Sequence, residues 1–95
     1  MGVLHHVSLE PADRAAWAVL LDTLADGDIV VLLDQAIRDA DIVARIIGAS
    51  SVVARWYVPA VEWPSGAGLP APLALVADAA WWALVAAGER LVEWN

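Results

Sequence analysis

The sequence predicts an α/β fold in three layers, a five-stranded parallel sheet with helices on both faces. Two observations carry that reading. The first is the run Ile29-Val30-Val31-Leu32-Leu33, which follows the turn Asp26-Gly27-Asp28 and is closed by Asp34 and Gln35. A strand wet on one face alternates polar and apolar residues. Five apolar residues in a row mark a strand covered on both faces, the habit of a central parallel strand. The second is the succession of segments, in which short apolar runs alternate with stretches of helical period, the pattern of βαβ units.

Strand one is read at residues 3–7, short and apolar but interrupted by His5 and His6. Ser8, Glu10 and Pro11 are start signals for a helix, since proline is tolerated in the first turn and acid is favoured by the dipole. Trp17, Leu20, Leu21 and Leu24 then recur at i, i+3, i+4 and i+7, one buried face, and Gly27 helps end that helix. Strand two is read at 28–33. A second helix follows at about 37–47, with Ile42, Val43, Ile46 and Ile47 on its apolar face and Gly48 suited to its C-terminal cap. Residues 51–58, β-branched and aromatic, read as strand three. Residues 59–72 hold four of the five prolines and read as loop, with one helical turn around 61–63. Strand four is read at 73–76. Asp78 is a good N-cap for a helix over 79–87, Gly88 a good stop, and 91–94 the fifth strand. The last helix contains no charge, and a helix apolar on all sides is expected to be buried on all sides.

Length and composition bound what such a domain does. Ninety-five residues make a single domain, 1–95, with no room for a separate catalytic lobe. The chain is 61% hydrophobic with a mean hydropathy of +0.65. That is more apolar side chain than so small a core hides, so burial against other subunits is expected. A membrane span is not, because the longest uncharged stretch, 63–77, is broken by three prolines and two glycines. The net charge is −7 and the five basic residues, all arginine, are scattered, so direct binding of nucleic acid is not expected. There is no cysteine, which excludes disulfides, thiolate metal sites and thiol chemistry on this polypeptide. The N-terminus lacks the pattern of a signal peptide, and the expected compartment is the cytoplasm.

Three segments carry a family resemblance: Leu4-His5-His6-Val7-Ser8, then Gly27-Asp28-Ile29-Val30-Val31-Leu32-Leu33-Asp34-Gln35-Ala36-Ile37, then Leu91-Val92-Glu93-Trp94. The chain resembles the TusB/DsrH family, whose members start with Leu-His-Thr-Leu, carry Glu-Gly-Asp before a leucine-rich strand and end in a tryptophan. It departs from the family where Asp34-Gln35-Ala36 replaces Gln-Asp-Gly, where Ala79 replaces a tyrosine, and where Glu62 to Leu69 replace a charged helix. The resemblance implies a DsrEFH-like fold with strand order 4-3-2-1-5. It also implies a place in a heterohexamer of three related subunits that passes persulfide sulfur between proteins, for tRNA 2-thiouridine synthesis or for sulfur oxidation. The sulfur-bearing cysteine belongs to the DsrE/TusD-like partner.

Among individual residues, adjacent His5 and His6 on a strand point to opposite faces and do not easily share a metal ion, so structural roles are expected for both. Asp28 reads as a turn residue and Asp34 as a helix N-cap, with a partner or ligand contact as the alternative for Asp34 and Gln35. Lying at opposite ends of one strand, the two aspartates do not form a catalytic pair. Six tryptophans exceed what core packing asks, and tryptophan is enriched at interface hot spots. The candidate partner contacts are therefore Asp34, Gln35, Trp63, Trp81, Trp82 and Trp94. No catalytic, cofactor-binding or metal-binding residue is expected. Two functions follow. One is a non-catalytic sulfur-relay subunit supporting DsrE/TusD-like and DsrF/TusC-like partners. The other is a small-molecule or nucleotide-binding module acting as a homo-oligomer.

Overall fold

The computed structural model describes residues 2–87 and 90–95. In chain order it comprises β1 (Leu4–Val7), α1 (Arg14–Thr23), β2 (Ile29–Leu32), α2 (Gln35–Arg38), α3 (Ala40–Gly48), β3 (Arg55–Pro59), a 3₁₀ turn (Ala60–Glu62), β4 (Leu73–Val76), α4 (Asp78–Ala87) and β5 (Leu91–Trp94). All five strands are parallel, in the order β4-β3-β2-β1-β5. The expected sheet and the expected strand order are both present.

The pairing register sorts the strand residues onto two faces. His5, Val7, Val30, Leu32, Trp56, Val58 and Leu73 share one face, where Trp17 and Leu20 of α1, Leu24 just beyond it, and Val43 and Ile47 of α3 complete the core. Full burial of one such side chain contributes about 1.5–3 kcal/mol. Leu4, His6, Val31, Tyr57, Ala74, Leu91 and Glu93 share the other face, where the Trp81 indole of α4 reaches His6. β2 is buried along Val30–Leu32, as its uninterrupted apolar run requires.

Several boundaries differ from the sequence reading, each for a local reason. The first helix starts later than Ser8–Pro11 suggests, because Asp13 is its N-cap and accepts a bond from the Ala16 N–H at 3.1 Å. Strand three begins at Arg55 rather than at 51. Val53 is engaged instead by the turn before β2, donating to Asp26 Oδ1 (3.0 Å) and accepting from the Gly27 N–H (2.9 Å). Gly27 holds that turn at φ +89°, a conformation that other residues rarely adopt. The single helix expected at 37–47 is two, α2 and α3, broken at Asp39 (φ −116°, ψ 51°), and Gly48 ends α3 with Ala49 as its cap. Asp78 lies in the first turn of α4, and the expected stop at Gly88 lies outside the described residues.

The largest correction concerns α4. It is apolar on all sides, yet none of its residues is buried. One helix laid on a five-stranded face covers only part of it, and α4 keeps Trp82 70% exposed, while Leu91 at the sheet edge is 43% exposed.

Candidate functional site

Both histidines are clamped by a tryptophan on their own side of the sheet. On the α1/α3 side, Trp94 Nε1–H donates to His5 Nδ1 at 3.1 Å. That bond places the ring proton on Nε2, which donates to Asp28 Oδ2 at 3.0 Å. Asp28 also accepts from the N–H of Ala25 (3.1 Å) and of Val3 (2.9 Å). Burial raises the Asp28 carboxyl, but the Val3 and Ala25 N–H groups and the His5 ring outweigh it and hold the carboxyl below its ordinary value. An Asp–His pair suggests general-base chemistry. Here His5 is 2% exposed and both ring nitrogens are occupied, so the pair ties the start of β2 to β1 and, through Trp94, to the end of β5.

On the opposite face Trp81 Nε1–H donates to His6 Nε2 at 3.1 Å, with the rings edge to face at 5.5 Å. Burial pushes His6 below its usual value, and Glu93 beside it offsets part of that shift. Charging His6 puts a proton on the nitrogen that Trp81 addresses. Because the folded-state value lies below the unfolded one, the His6 contribution to stability is complete above about pH 6.5 and is lost as pH falls through the folded value. For Asp28, also lowered, the contribution persists to more acid pH and is lost only as pH falls below about 3.8. The urea midpoint is therefore expected to fall in two steps on acidification. His6→Gln, which keeps an acceptor but does not titrate, is expected to flatten the upper step alone; an unchanged upper step in that variant would refute the Trp81–His6 coupling.

The six candidate contacts do not form one site. Asp34 and Gln35 are exposed at the carboxyl end of β2, where open α/β sheets place ligands and partners. The Ser8 hydroxyl approaches Asp34 Oδ2 at 3.4 Å. Asp34 occupies the N-cap position of α2 but makes no capping bond through its side chain, which corrects the expected cap role. Its backbone lies at φ 51°, ψ −115°, a region costly for any residue but glycine. Trp63 lies on the β3–β4 connection, its Nε1–H bound to the Ala67 carbonyl at 3.1 Å, and lines an open groove of about 680 Å³ with Arg38, Arg45 and Glu62. Trp81 and Trp94 commit their indole N–H groups to the histidines. Trp82 is the candidate tryptophan that stands out into solvent, beside a cavity of about 270 Å³ lined also by His6, Val85 and Leu91.

No protein-family model matches this chain, and no curated protein matches it in sequence. Among the described residues no group of three or more His, Asp or Glu is placed to hold a metal ion, and no helix is long and apolar enough to cross a membrane. The sequence reading missed the indole–imidazole clamps. Its available signal was the coincidence of two adjacent histidines at the centre of β1 with surplus tryptophans, but which tryptophan reaches which face depends on where α4 and β5 come to lie.

Proposed function

We propose that this chain is a non-catalytic interaction subunit of a cytoplasmic sulfur-relay assembly of the TusB/DsrH type, supporting a cysteine-bearing DsrE/TusD-like partner. The interaction part rests on one observation: a ten-residue helix, α4, that carries no charge after Asp78 and that the domain's own core leaves without a buried residue. Exposed apolar surface on this scale marks a contact surface. The sulfur-relay part is supported by the resemblance of the β1, β2 and β5 segments and by the strand order that it implied. Lacking any thiol, the chain has no atom to carry a persulfide, so its role would be to shape and cover the partner that does.

Co-expression with DsrE-like and DsrF-like subunits tests this. A defined hetero-oligomer is expected, with sulfur from a cysteine desulfurase recovered on the partner's cysteine and none on this chain. Ala83 is exposed on α4, so Ala83→Glu leaves the fold intact and puts a charge into the contact; at least a tenfold loss of partner affinity is expected. Failure to co-purify, with the isolated domain folded, would overturn the reading. The Trp63 groove, with Arg38 and Arg45, favours the second reading, a small-molecule module, and saturable binding of a nucleotide abolished by Arg38→Ala would promote it.

A further inference from the structure

We infer that two copies of this chain associate through the outer edge of β5, joining their sheets into one continuous ten-stranded sheet about a two-fold axis. The inference is independent of the sulfur-relay reading. The Leu4 N–H donates to the Arg90 carbonyl and the Ser8 N–H to the Trp94 carbonyl, so the even-numbered residues of this strand turn their backbone groups toward β1. By the two-residue repeat of a ladder, Leu91 and Glu93 turn their N–H and C=O groups outward, and among the described residues no strand pairs with that edge. The strand carries no proline, no lysine and no bulge, and its single charge is Glu93.

A second copy fits this edge in a way that the strand itself specifies. In a two-fold pairing within one sheet, opposed residues point to the same face, so odd residues meet odd and even meet even. Centring the axis on Val92 overlaps residues 90–94 fully. Leu91 and Glu93 then exchange both backbone hydrogen bonds with Glu93 and Leu91 of the second copy, and Val92 meets Val92. Arg90 comes to lie beside Trp94 of the other chain, where a cation meets an aromatic face. Shifting the axis to Glu93 would oppose two glutamates.

The surface beside the edge matches. α4 lies over β1, with Trp81 bonded to His6 and with Trp82 and Val85 on its β5 side. Three strand spacings separate β1 from its counterpart, so the two α4 helices would run about 14 Å apart. Helices in direct contact lie about 8–10 Å apart. The remaining gap is filled by Trp82 from each copy, the side chain that is 70% exposed in the single chain. A charge of −7 on each chain opposes the contact, so it is expected to tighten as salt rises.

Sedimentation of the full chain at about 100 µM is the test, a concentration suited to a small interface. A particle of twice the 10.1 kDa protomer mass is expected, more populated in high salt. Glu93→Pro removes an outward N–H, a change that edge strands tolerate, and is expected to give a folded monomer by circular dichroism. Glu93→Thr keeps the N–H and is expected to remain dimeric. Trp82→Ser, which leaves the ladder untouched, is expected to weaken the dimer at least tenfold. A wild-type monomer at that concentration overturns the proposal, as does a folded Glu93→Pro protein that stays dimeric. Loss of the dimer in Trp82→Ser with unchanged circular dichroism supports it even where Glu93→Pro fails to fold. The folded Glu93→Pro monomer should still bind the DsrE-like partners, which separates this contact from the one proposed for the outer surface of α4.

Discussion

Asp28→Ala is expected to cost about 3–5 kcal/mol, because it orphans several donors at once and each buried donor left without its acceptor costs about 1–3 kcal/mol. The truncation leaves three donors facing nothing: the His5 Nε2–H and the N–H groups of Val3 and Ala25. The His5 ring cannot rescue itself by moving its proton, because Trp94 already donates to Nδ1 and a proton there would meet another N–H. A domain of this length has a total stability of about 5–15 kcal/mol, so the variant loses a large fraction of it and should melt far below the wild type. Trp94→Phe keeps an aromatic ring, though a smaller one, and loses one donor to a neutral acceptor, a hydrogen bond worth about 1 kcal/mol. Thermal unfolding followed by circular dichroism separates the two. If Asp28→Ala melts within a few degrees of the wild type, the Asp28–His5–Trp94 chain does not brace the sheet.

Asp34→Gly is expected to act in the opposite direction and stabilise the domain. Asp34 holds φ 51°, ψ −115° with a side chain that makes no capping bond and a long 3.4 Å approach from Ser8. Strain of this kind costs about 1–3 kcal/mol in a residue with a Cβ and is relieved in glycine. Part of the gain is returned through the greater freedom of glycine in the unfolded chain, leaving a rise of about 4–8 °C for each net kcal/mol in a domain of this size. A melting temperature that stays level or falls would show that the side chain is worth more to the fold than its contacts indicate. Where the variant is more stable but binds DsrE-like partners more weakly, the strained carboxylate at the carboxyl end of β2 is retained for contact.

The sheet was legible in the sequence because its signals are local. The apolar run Ile29-Val30-Val31-Leu32 needs cover on both faces whatever surrounds it, and the period of Trp17, Leu20 and Leu24 fixes one helical face without reference to any other segment. Adjacency on a strand was enough to send His5 and His6 to opposite faces. The element ends were less legible, since Val53 is drawn out of the strand by Asp26 and Gly27, residues distant in sequence.

Composition determined that surplus apolar surface exists, because 95 residues at 61% hydrophobic content exceed what one small core encloses. Composition also determined that no thiol chemistry belongs to this chain. Where the surplus lies was decided by the tertiary structure alone. Periodicity gives α4 no preferred face, and its burial is settled by how many helices share its side of the sheet. Three helices, α1, α2 and α3, and the loops around them close one face, while α4 by itself meets the other and leaves Trp82 in solvent. The same packing decided which tryptophans are free. Trp81 and Trp94 are held because β1 places an imidazole nitrogen within reach of each, a coincidence of chain crossings 75 and 89 residues apart in sequence that no local pattern encodes.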